Sequence, residues 1–328
     1  MSRSSVVIVS PALAQANNGN WRTAERWREL LSATCHARVV QQWPDAGAAA
    51  DTLMLALHAR RSAASIQAWG EAHPGYGLAV VLTGTDLYQD IRSDRPAQRS
   101  LELAQRLVVL QELGAQALPA DCRDKARVVF QSTPALAPAA KSNQLLCAVM
   151  VGHLRHVKSP QTLFEAARLL RGRGDIRIDH IGEASDSEWA EQARATASQC
   201  PQYRWLGALP HAQTRQRIQR AHLLVHTSAL EGGAHVVMEA VRSGTPVLAS
   251  RVPGNVGMLG ADYAGYFPHA DAAALARLLD ECRAAQLAKD PAEGLLARLA
   301  TQCAVRAPLF DPTAERRALT RLLQELEE

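Results

Sequence analysis

Two carboxylates, Glu231 and Glu239, stand eight residues apart in the segment 228–239, Ser-Ala-Leu-Glu-Gly-Gly-Ala-His-Val-Val-Met-Glu. Gly232 and Gly233 allow backbone amides to approach a ligand closely, because no side chain intervenes. The apolar run that follows predicts a helix, whose N-terminal amides favour an anion such as a phosphate. Glu239 lies roughly two turns along at ~3.6 residues per turn. Both carboxylates are therefore predicted to border one anion site.

Short β-branched runs alternate with longer amphipathic segments along the chain, which is the pattern of βαβ units. The predicted strands are 6–10, 38–42, 52–58, 78–83, 107–110 and 127–131 in the first half, and 145–151, 176–181, 203–206, 223–226, 246–250 and 265–268 in the second. The predicted helices are one from about Asn20, then 160–170, 187–199, 212–220, 236–243, 271–286 and 313–327.

The segment 132–143 interrupts this alternation and is rich in Pro, Ala and Ser. Each Pro blocks regular pairing, so this segment is predicted to be a linker. A length of 328 residues also favours two domains of ~150 residues over one core. We predict an α/β protein with two Rossmann-like parallel-sheet domains, one over residues 1–140 and one over 144–307. A cleft is expected between the carboxyl ends of the two sheets.

Polar residues near the carboxyl ends of the first-half strands are candidates for a second binding site, since such residues project into the crevice of an open α/β sheet. They are Asn18, Gly19, Asn20, Arg22, Arg26, His58, Arg60, Arg61, Thr83, Thr85 and Asp86. The guanidinium groups suit an anionic substrate, and Asp86 and His58 are candidate proton or orientation partners. Ordinary surface turns, with Asn20 as a helix N-cap, are the alternative interpretation.

The composition, 47% hydrophobic and 21% charged, is that of an ordinary globular protein. A net charge of +4 is too small to indicate a nucleic-acid partner, and 5% aromatic residues leave few platforms for base stacking. No segment approaches the ~20 apolar residues of a membrane span. The short apolar run 6–9 ends at Ser10-Pro11, which predicts a first strand and not a signal sequence.

The six cysteines form no Cys-x-x-Cys pair and show no metal-ligand spacing. Scattered through a chain of this length, they are typical of reduced thiols. We therefore predict a cytoplasmic protein without a membrane partner, and the sequence leaves its oligomeric state open.

The segment Ser228-x-x-Glu231-Gly232, together with the Glu-x7-Glu spacing, resembles the donor-binding domain of glycosyltransferase family 4. The resemblance covers most of the second half of the chain. It implies the GT-B fold, in which the last helix, here within 311–328, packs back on the first domain. It also implies that Glu231 contacts the sugar of a nucleoside diphosphate sugar and that Glu239 contacts its ribose. Carboxylates suit that role, because charge-assisted hydrogen bonds are strong.

Further donor residues follow from the same resemblance. Gly244-Thr-Pro246-Val247 and Gly254 resemble the family's Gly-x-Pro-Val and Gly-rich donor loops. The donor-binding residues that the resemblance implies are Gly152, His153, Ser228, Gly232, Gly233, Glu239 and Gly254. The chain departs from the family where Gly233-Ala234 replaces the usual Phe-Gly and where Gly257 replaces a Glu.

The segment 152–158, Gly-His-Leu-Arg-His-Val-Lys, resembles the Gly-Arg-Leu…Lys segment that opens the donor domain of this family. The resemblance implies that Lys158 neutralises the donor diphosphate. Because His153 stands where the family has Arg, we predict that Arg155 supplies the missing charge. Cations and amides at a departing diphosphate stabilise the charge that develops there. No Asp-x-Asp motif is present, so no metal and no cofactor are expected.

The segments Thr-Gly-Thr-Asp-Leu-Tyr at 83–88, Asn-Asn-Gly-Asn-Trp-Arg-Thr at 17–23, Val-Pro-Gly-Asn-Val-Gly at 252–257 and Phe-Gln-Ser at 130–132 are unusual for the wider family. Together they resemble its selenosugar synthase branch, which acts in selenoneine biosynthesis. That resemblance implies transfer of N-acetylglucosamine from UDP-N-acetylglucosamine to selenophosphate, giving a 1-selenosugar, UDP and phosphate. The predicted catalytic residues are Glu231, Lys158, Arg155 and Asp86. The predicted acceptor-binding residues are Asn18, Gly19, Asn20, Arg22, Arg60, Arg61, Thr83 and Thr85.

Three other functions remain compatible with the residues. The acceptor could be a hydroxyl group of a lipid or small metabolite, a UDP-sugar epimerase has a similar two-domain architecture, and a nucleotide-sugar-binding module needs no catalysis at all.

Overall fold

The computed structural model describes residues 4–13, 19–288 and 290–328. Within them the chain forms two six-stranded sheets surrounded by helices. It divides into two compact units. Unit 1 comprises Met1–Ser132, Glu231–Gly233 and Leu309–Glu328, and unit 2 comprises Thr133–Leu230 and Ala234–Pro308.

The sheet of unit 1 contains β1 (Ser5–Val9), β2 (His36–Val40), β3 (Leu53–Leu57), β4 (Leu78–Leu82), β5 (Arg106–Val109) and β6 (Ala126–Val128). All neighbouring strands are parallel, in the order β2-β1-β3-β4-β5-β6. Every residue of β3 and β4 is buried, as expected for strands covered by helices on both faces. The strand order reverses between β1 and β3, and ligands of open α/β sheets bind beside such a reversal.

The sheet of unit 2 contains β7 (Leu146–Val151), β8 (Ile176–Ile181), β9 (Tyr203–Trp205), β10 (Leu223–His226), β11 (Val247–Ser250) and β12 (Tyr266–Phe267). Its strands are also parallel and run in the order β12-β11-β10-β7-β8-β9. This is the order of a nucleotide-binding Rossmann sheet, with its reversal between β7 and β10.

The helices are α1 (Gly19–Leu31), α2 (Ala63–Ala72), α3 (Ile91–Ser93), α4 (Arg95–Leu103), α5 (Pro160–Leu169), α6 (Ser187–Gln199), α7 (His211–Arg220), α8 (His235–Val241), α9 (Pro253–Leu259), α10 (Ala272–Leu287), α11 (Leu295–Arg306) and α12 (Pro312–Glu327). All twelve predicted strands and all seven predicted helices are present, with ends shifted by three residues at most. The sequence prediction missed α2, α3, α4, α9 and α11. The predicted linker is confirmed as irregular chain, because residues 129–142 form no helix or strand.

The last helix, α12, belongs to unit 1 and packs against α1. Leu319, Leu322 and Leu326 of α12 join Trp27 and Leu31 of α1 in the buried core of this unit. The return of the last helix to the first sheet, which the family resemblance implied, is therefore observed.

Glu315 of α12 is a buried carboxylate that ties three segments of unit 1 together. Arg26 donates to it through Nε and Nη2, the Trp27 indole donates at 2.6 Å, and Ser132 donates through its amide at 2.8 Å. The Arg26 guanidinium is thus held in a structural ion pair. This corrects the prediction that Arg26 serves a substrate.

No helix among the described residues is long and apolar enough to cross a membrane. The six cysteines carry free thiols, and five of them are buried.

Candidate active site

The reversal point of the unit 2 sheet is flanked by two loops that contain predicted donor residues. One loop follows β7 and runs from Gly152 to Ser159, and the other follows β10 and begins with Thr227 and Ser228. The strands β7 and β10 are neighbours, so their carboxyl ends meet at one edge of the sheet. The fold therefore brings Lys158 and Ser228 to the place where such sheets bind nucleotides.

The main chain at Lys158 is fixed by the loop after β10. The buried Thr227 hydroxyl donates to the Lys158 carbonyl at 2.6 Å, and the Ala229 amide donates to the Val157 carbonyl at 2.9 Å. Ser159 follows with φ +46°, a left-handed conformation that is costly for a residue with a side chain. Its hydroxyl is 2.9 Å from His269 Nε2. These contacts hold the Lys158 backbone in place independently of its ammonium group.

The other cationic candidates of this loop are exposed. His153 and Arg155 lie on its surface, whereas Gly152 and Lys158 are half-buried. The Arg155 side chain is therefore less enclosed than that of Lys158, and its predicted role in neutralising the diphosphate stays a prediction.

Glu239 lies in α8 and has a histidine partner. Its Oε1 is 2.6 Å from His211 Nε2, and the carboxylate is 8% exposed. Because α8 begins at His235, Glu239 lies about one turn inside the helix, so the eight-residue spacing from Glu231 is not two helical turns as predicted. With seven residues, α8 is also a short helix, so its dipole contributes less to an anion site than the sequence suggested.

Ser228 joins a buried polar cluster between the loops after β10 and β11. Its carbonyl accepts a hydrogen bond from Ser250 Oγ at 2.6 Å, and Asn255 Nδ2 donates to the Ser250 carbonyl at 2.9 Å. Among the residues that the structure describes, Ser228 Oγ has no hydrogen-bond partner, although Ser228 is fully buried. Gly254 is also buried, in the first turn of α9. This cluster fixes two of the predicted donor loops to one another.

The corresponding edge of unit 1 is organised by Asp86. The carboxylate is fully buried and accepts hydrogen bonds from the amides of Ala59 at 3.0 Å, Thr83 at 2.9 Å and Gly84 at 2.9 Å. It therefore joins the turn after β3 to the turn after β4. Because both of its carboxylate oxygens accept hydrogen bonds from backbone amides, Asp86 is suited to positioning these turns. The geometry does not favour the direct catalytic role predicted for it.

His58 begins the turn after β3 and is strained and buried. Its φ of +74° is left-handed, and its Nδ1 accepts a hydrogen bond from the Arg61 amide at 3.4 Å. Asp86 and Asp90 lie 3.8 and 3.9 Å from the two ring nitrogens. Burial lowers the pKa of His58 despite these carboxylates, which favours a neutral ring near pH 7.

The remaining candidates of this edge lie around His58 and Asp86. Arg60 and Arg61 are exposed, and Arg60 Nε is 3.3 Å from Asp90. Thr85 is exposed and Thr83 is half-buried. The fold thus brings two exposed guanidinium groups and two threonines to one sheet edge.

The predicted turn before α1 is only partly described. Asn18 lies outside the described residues. Gly19 is exposed at the first residue of α1, and Asn20 and Arg22 are half-buried within the helix and engaged in contacts. Asn20 is therefore a helical residue and not an N-cap.

The segment Glu231–Gly233 clusters with unit 1 and lies against the turns after β4 and β5. A Cβ atom on Gly232 would lie 2.3 Å from the Thr83 carbonyl oxygen, and one on Gly233 would lie 2.8 Å from Leu110 Cβ. Only glycine permits such a close approach. The two glycines of the motif are thus required by packing within unit 1, in addition to any ligand contact. Glu231 precedes them in the same segment.

Two polar residues at this edge were not predicted as site residues. Tyr88 lies in a π-helical turn, Asp86–Asp90, and its hydroxyl accepts a hydrogen bond from Gln111 Nε2 at 3.0 Å. Single π-helical turns occur frequently at functional sites. Tyr88 lies in the segment 83–88, but no feature of the sequence predicts a pairing with Gln111.

Among the described residues, no group of three or more His, Cys, Asp or Glu side chains is arranged to hold a metal ion. The absence of a metal requirement stays a prediction.

Comparison with known proteins places these observations in context. Residues 137–290 match the family model described as glycosyl transferases group 1, a region just under half of the chain. A curated relative from Xenopus tropicalis, glycosyltransferase 1 domain-containing protein 1, is 22% identical over 276 residues, which are 76% of this chain and 79% of the relative.

Solved structures resemble the whole chain. One is Anabaena HepE in complex with UDP, with a TM-score of 0.72 and 14% identity over 98% of this chain and 99% of that one. Another is the sucrose-phosphate synthase from Thermosynechococcus elongatus, with a TM-score of 0.73 and 16% identity over 99% of both chains. At these identities the likeness shows the fold, and the predicted GT-B fold is confirmed. Together, this likeness and the family match support glycosyltransferase activity.

Proposed function

We propose that this protein is a glycosyltransferase that uses a UDP-sugar donor and transfers N-acetylglucosamine to selenophosphate. The observation that carries the first part is the family match over 137–290, which contains Lys158, Ser228 and Glu239 at the reversal point of a Rossmann sheet. UDP is the nucleotide bound to the structurally similar HepE. The selenosugar part is supported by the sequence resemblance to that branch.

Lys158 and Glu239 have surroundings that suit their proposed roles in binding the donor. The Thr227 hydroxyl fixes the backbone of Lys158. The Lys158 ammonium group suits a leaving diphosphate, because a cation stabilises the negative charge that develops there. His211 forms a hydrogen bond with one oxygen of the Glu239 carboxylate and so orients it. The other carboxylate oxygen suits a hydrogen bond from a ribose hydroxyl.

The proposed binding of the acceptor depends on the positive charge of two arginines. Arg60 and Arg61 present exposed guanidinium groups at the carboxyl edge of β3, where they suit a phosphorylated acceptor. Selenophosphate supplies both an anionic phosphoryl group and a nucleophilic selenium. In this reaction selenium forms a bond to the anomeric carbon as the bond to UDP breaks, and hydrolytic loss of phosphate yields the 1-selenosugar. Such a nucleophile needs no strong base. This agrees with the Asp86 carboxylate, which accepts hydrogen bonds from backbone amides.

The proposed reaction is tested by incubating the protein with UDP-N-acetylglucosamine, with and without selenophosphate, and following products by mass spectrometry. We expect UDP release that depends on selenophosphate and a product that carries selenium, at an unchanged rate in the presence of EDTA. UDP release that ignores selenophosphate would contradict the acceptor assignment and favour a hydroxyl acceptor. An epimerised donor would point to an epimerase, and binding without turnover to a nucleotide-sugar-binding module.

Gly232→Ala is expected to reduce UDP release about tenfold. The added Cβ would overlap two backbone groups, at 2.3 Å from the Thr83 oxygen and 2.7 Å from the Gly84 nitrogen. Because backbone atoms cannot rotate away, the segment must shift, at a typical cost of ~1–3 kcal/mol, and Glu231 shifts with it.

Gly174→Ala is the matched control, since no atom of the described part of the chain lies within 4 Å of a Cβ there and its φ is not positive. The control should keep wild-type turnover and melting temperature. Wild-type turnover by Gly232→Ala would show that the segment does not need this close approach.

A further inference from the structure

The segment Glu231–Gly233 belongs to unit 1 and packs on the turn that leads to Tyr88. Gly232 packs on Gly84, whose carbonyl accepts a hydrogen bond from the Tyr88 amide at 3.1 Å. Gly233 packs on Leu110, the residue before Gln111. The Glu231 carboxylate is near enough to contribute to the raised pKa of the Tyr88 phenol.

The Gln111 amide fixes the direction in which Tyr88 can donate. Gln111 is fully buried, and its Oε1 accepts a hydrogen bond from the Leu113 amide at 2.6 Å. Its Nε2 must therefore face Tyr88 and donates to the phenolic oxygen at 3.0 Å. Since that oxygen acts as the acceptor towards Gln111, the Tyr88 proton points to another group.

The phenol is a donor and not a base. Burial is the main reason that the pKa of Tyr88 is raised to about 12, so the hydroxyl keeps its proton at neutral pH. Glu231, when ionised, can only accept hydrogen bonds. A donor and an acceptor thus lie in the same unit of the protein, close enough for their charges to interact, with exposed fractions of 8% and 9%. A sugar hydroxyl both donates and accepts, and is complementary to such a pair.

We propose that Tyr88 and Glu231 together bind one hydroxyl group of the transferred sugar, Tyr88 as the hydrogen-bond donor and Glu231 as the acceptor. This inference rests on the proposed glycosyl transfer. It adds Tyr88 as a substrate-contacting residue and Gln111 as a positioning residue, and it makes the pair a determinant of which sugar is transferred.

The test compares wild type with Tyr88→Phe, which removes only the hydroxyl. UDP release is measured with the full UDP-sugar and with analogues that lack the 3-, 4- or 6-hydroxyl group. Wild type should disfavour one analogue by about tenfold or more in kcat/KM, as sites that bind a hydroxyl do. Tyr88→Phe should lose about tenfold on the full sugar and stay within about twofold of wild type on that one analogue.

Two further variants separate this role from a structural one. Gln111→Met should show a smaller loss with the same analogue pattern, because the phenol remains but is no longer oriented. Tyr76→Phe, at an exposed tyrosine before β4, should match wild type. All of these proteins should bind UDP equally, since UDP lacks the transferred sugar.

Three outcomes would overturn the inference: full activity of Tyr88→Phe, an equal loss on every analogue, or equal use of all analogues by wild type. Failure of the proposed function gives a different result, because wild type would then release no UDP from any of the sugars.

Discussion

Lys158→Ala is expected to lower kcat for UDP release by about 10²–10³-fold. Removing one pre-organised group that stabilises a developing anion typically has an effect of this size. The loop should keep its shape in the variant, because Thr227 and Ala229 hold the backbone of residues 157 and 158 and make no use of the ammonium. The measurement is steady-state UDP release at saturating donor, with thermal unfolding as the check on folding.

Arg155→Ala and Arg171→Ala complete this experiment. Arg171 is an exposed cation near the far end of α5, so its loss controls for a change in net charge. Arg155 lies in the same loop as Lys158 and was predicted to replace a missing family arginine. A loss with Arg155→Ala that approaches that of Lys158→Ala would support the replacement. Turnover of Lys158→Ala within about threefold of wild type would remove Lys158 from the mechanism.

The strands could be predicted from the sequence because parallel strands in this fold are buried on both faces. Runs such as Leu53–Leu57 and Leu78–Leu82 consist of apolar residues alone, and such runs bounded by polar turns are a strong signal. Their alternation with amphipathic helices then predicts a parallel sheet. The strand order within each sheet could not be predicted, because it depends on tertiary packing.

Two of the missed helices, α4 and α9, lack such an apolar run. The helix Pro253–Leu259 has only seven residues and contains Pro253, Gly254 and Gly257, which are typical of loops. The helix Arg95–Leu103 has nine residues and buries only Ala97, Ser100 and Leu101, so it contains no continuous apolar run. Both helices are formed in the context of tertiary packing, since Arg95–Leu103 packs mainly on α2 and Pro253–Leu259 packs on α11.

The candidate site was predictable where chemistry depends on residue type and spacing, and less so where it depends on partners. Their motifs put Lys158 and Ser228 after predicted strands, and both residues follow the strands β7 and β10 in the structure, while their roles stay predictions. The sequence could not show that Asp86 binds three backbone amides, that Glu239 pairs with His211, or that Gln111 orients Tyr88. These partners are up to 28 residues apart in the chain and are brought together by folding.

Glu231→Ala and Glu239→Ala are expected to separate catalysis from nucleotide binding. Glu239 is assigned to the ribose, which is present in donor and product alike, so its loss should raise the Kd for UDP. A hydrogen bond to a charged group is worth ~1.5–3 kcal/mol, which corresponds to about a tenfold to hundredfold change. Glu231 is assigned to the sugar, so its loss should reduce kcat by a similar factor and leave the Kd for UDP within about twofold. Calorimetry with UDP and steady-state UDP release measure the two effects.

His211→Ala sharpens this comparison, because it removes the partner that orients Glu239 and leaves both carboxylates in place. It should weaken UDP binding in the same direction as Glu239→Ala but by a smaller factor, with kcat at saturating donor near wild type. Equal losses of UDP affinity in the two Glu variants would show that the carboxylates do not divide the work. If His211→Ala binds UDP as wild type does, Glu239 is held by the fold alone, and the short His211 contact has no part in nucleotide binding.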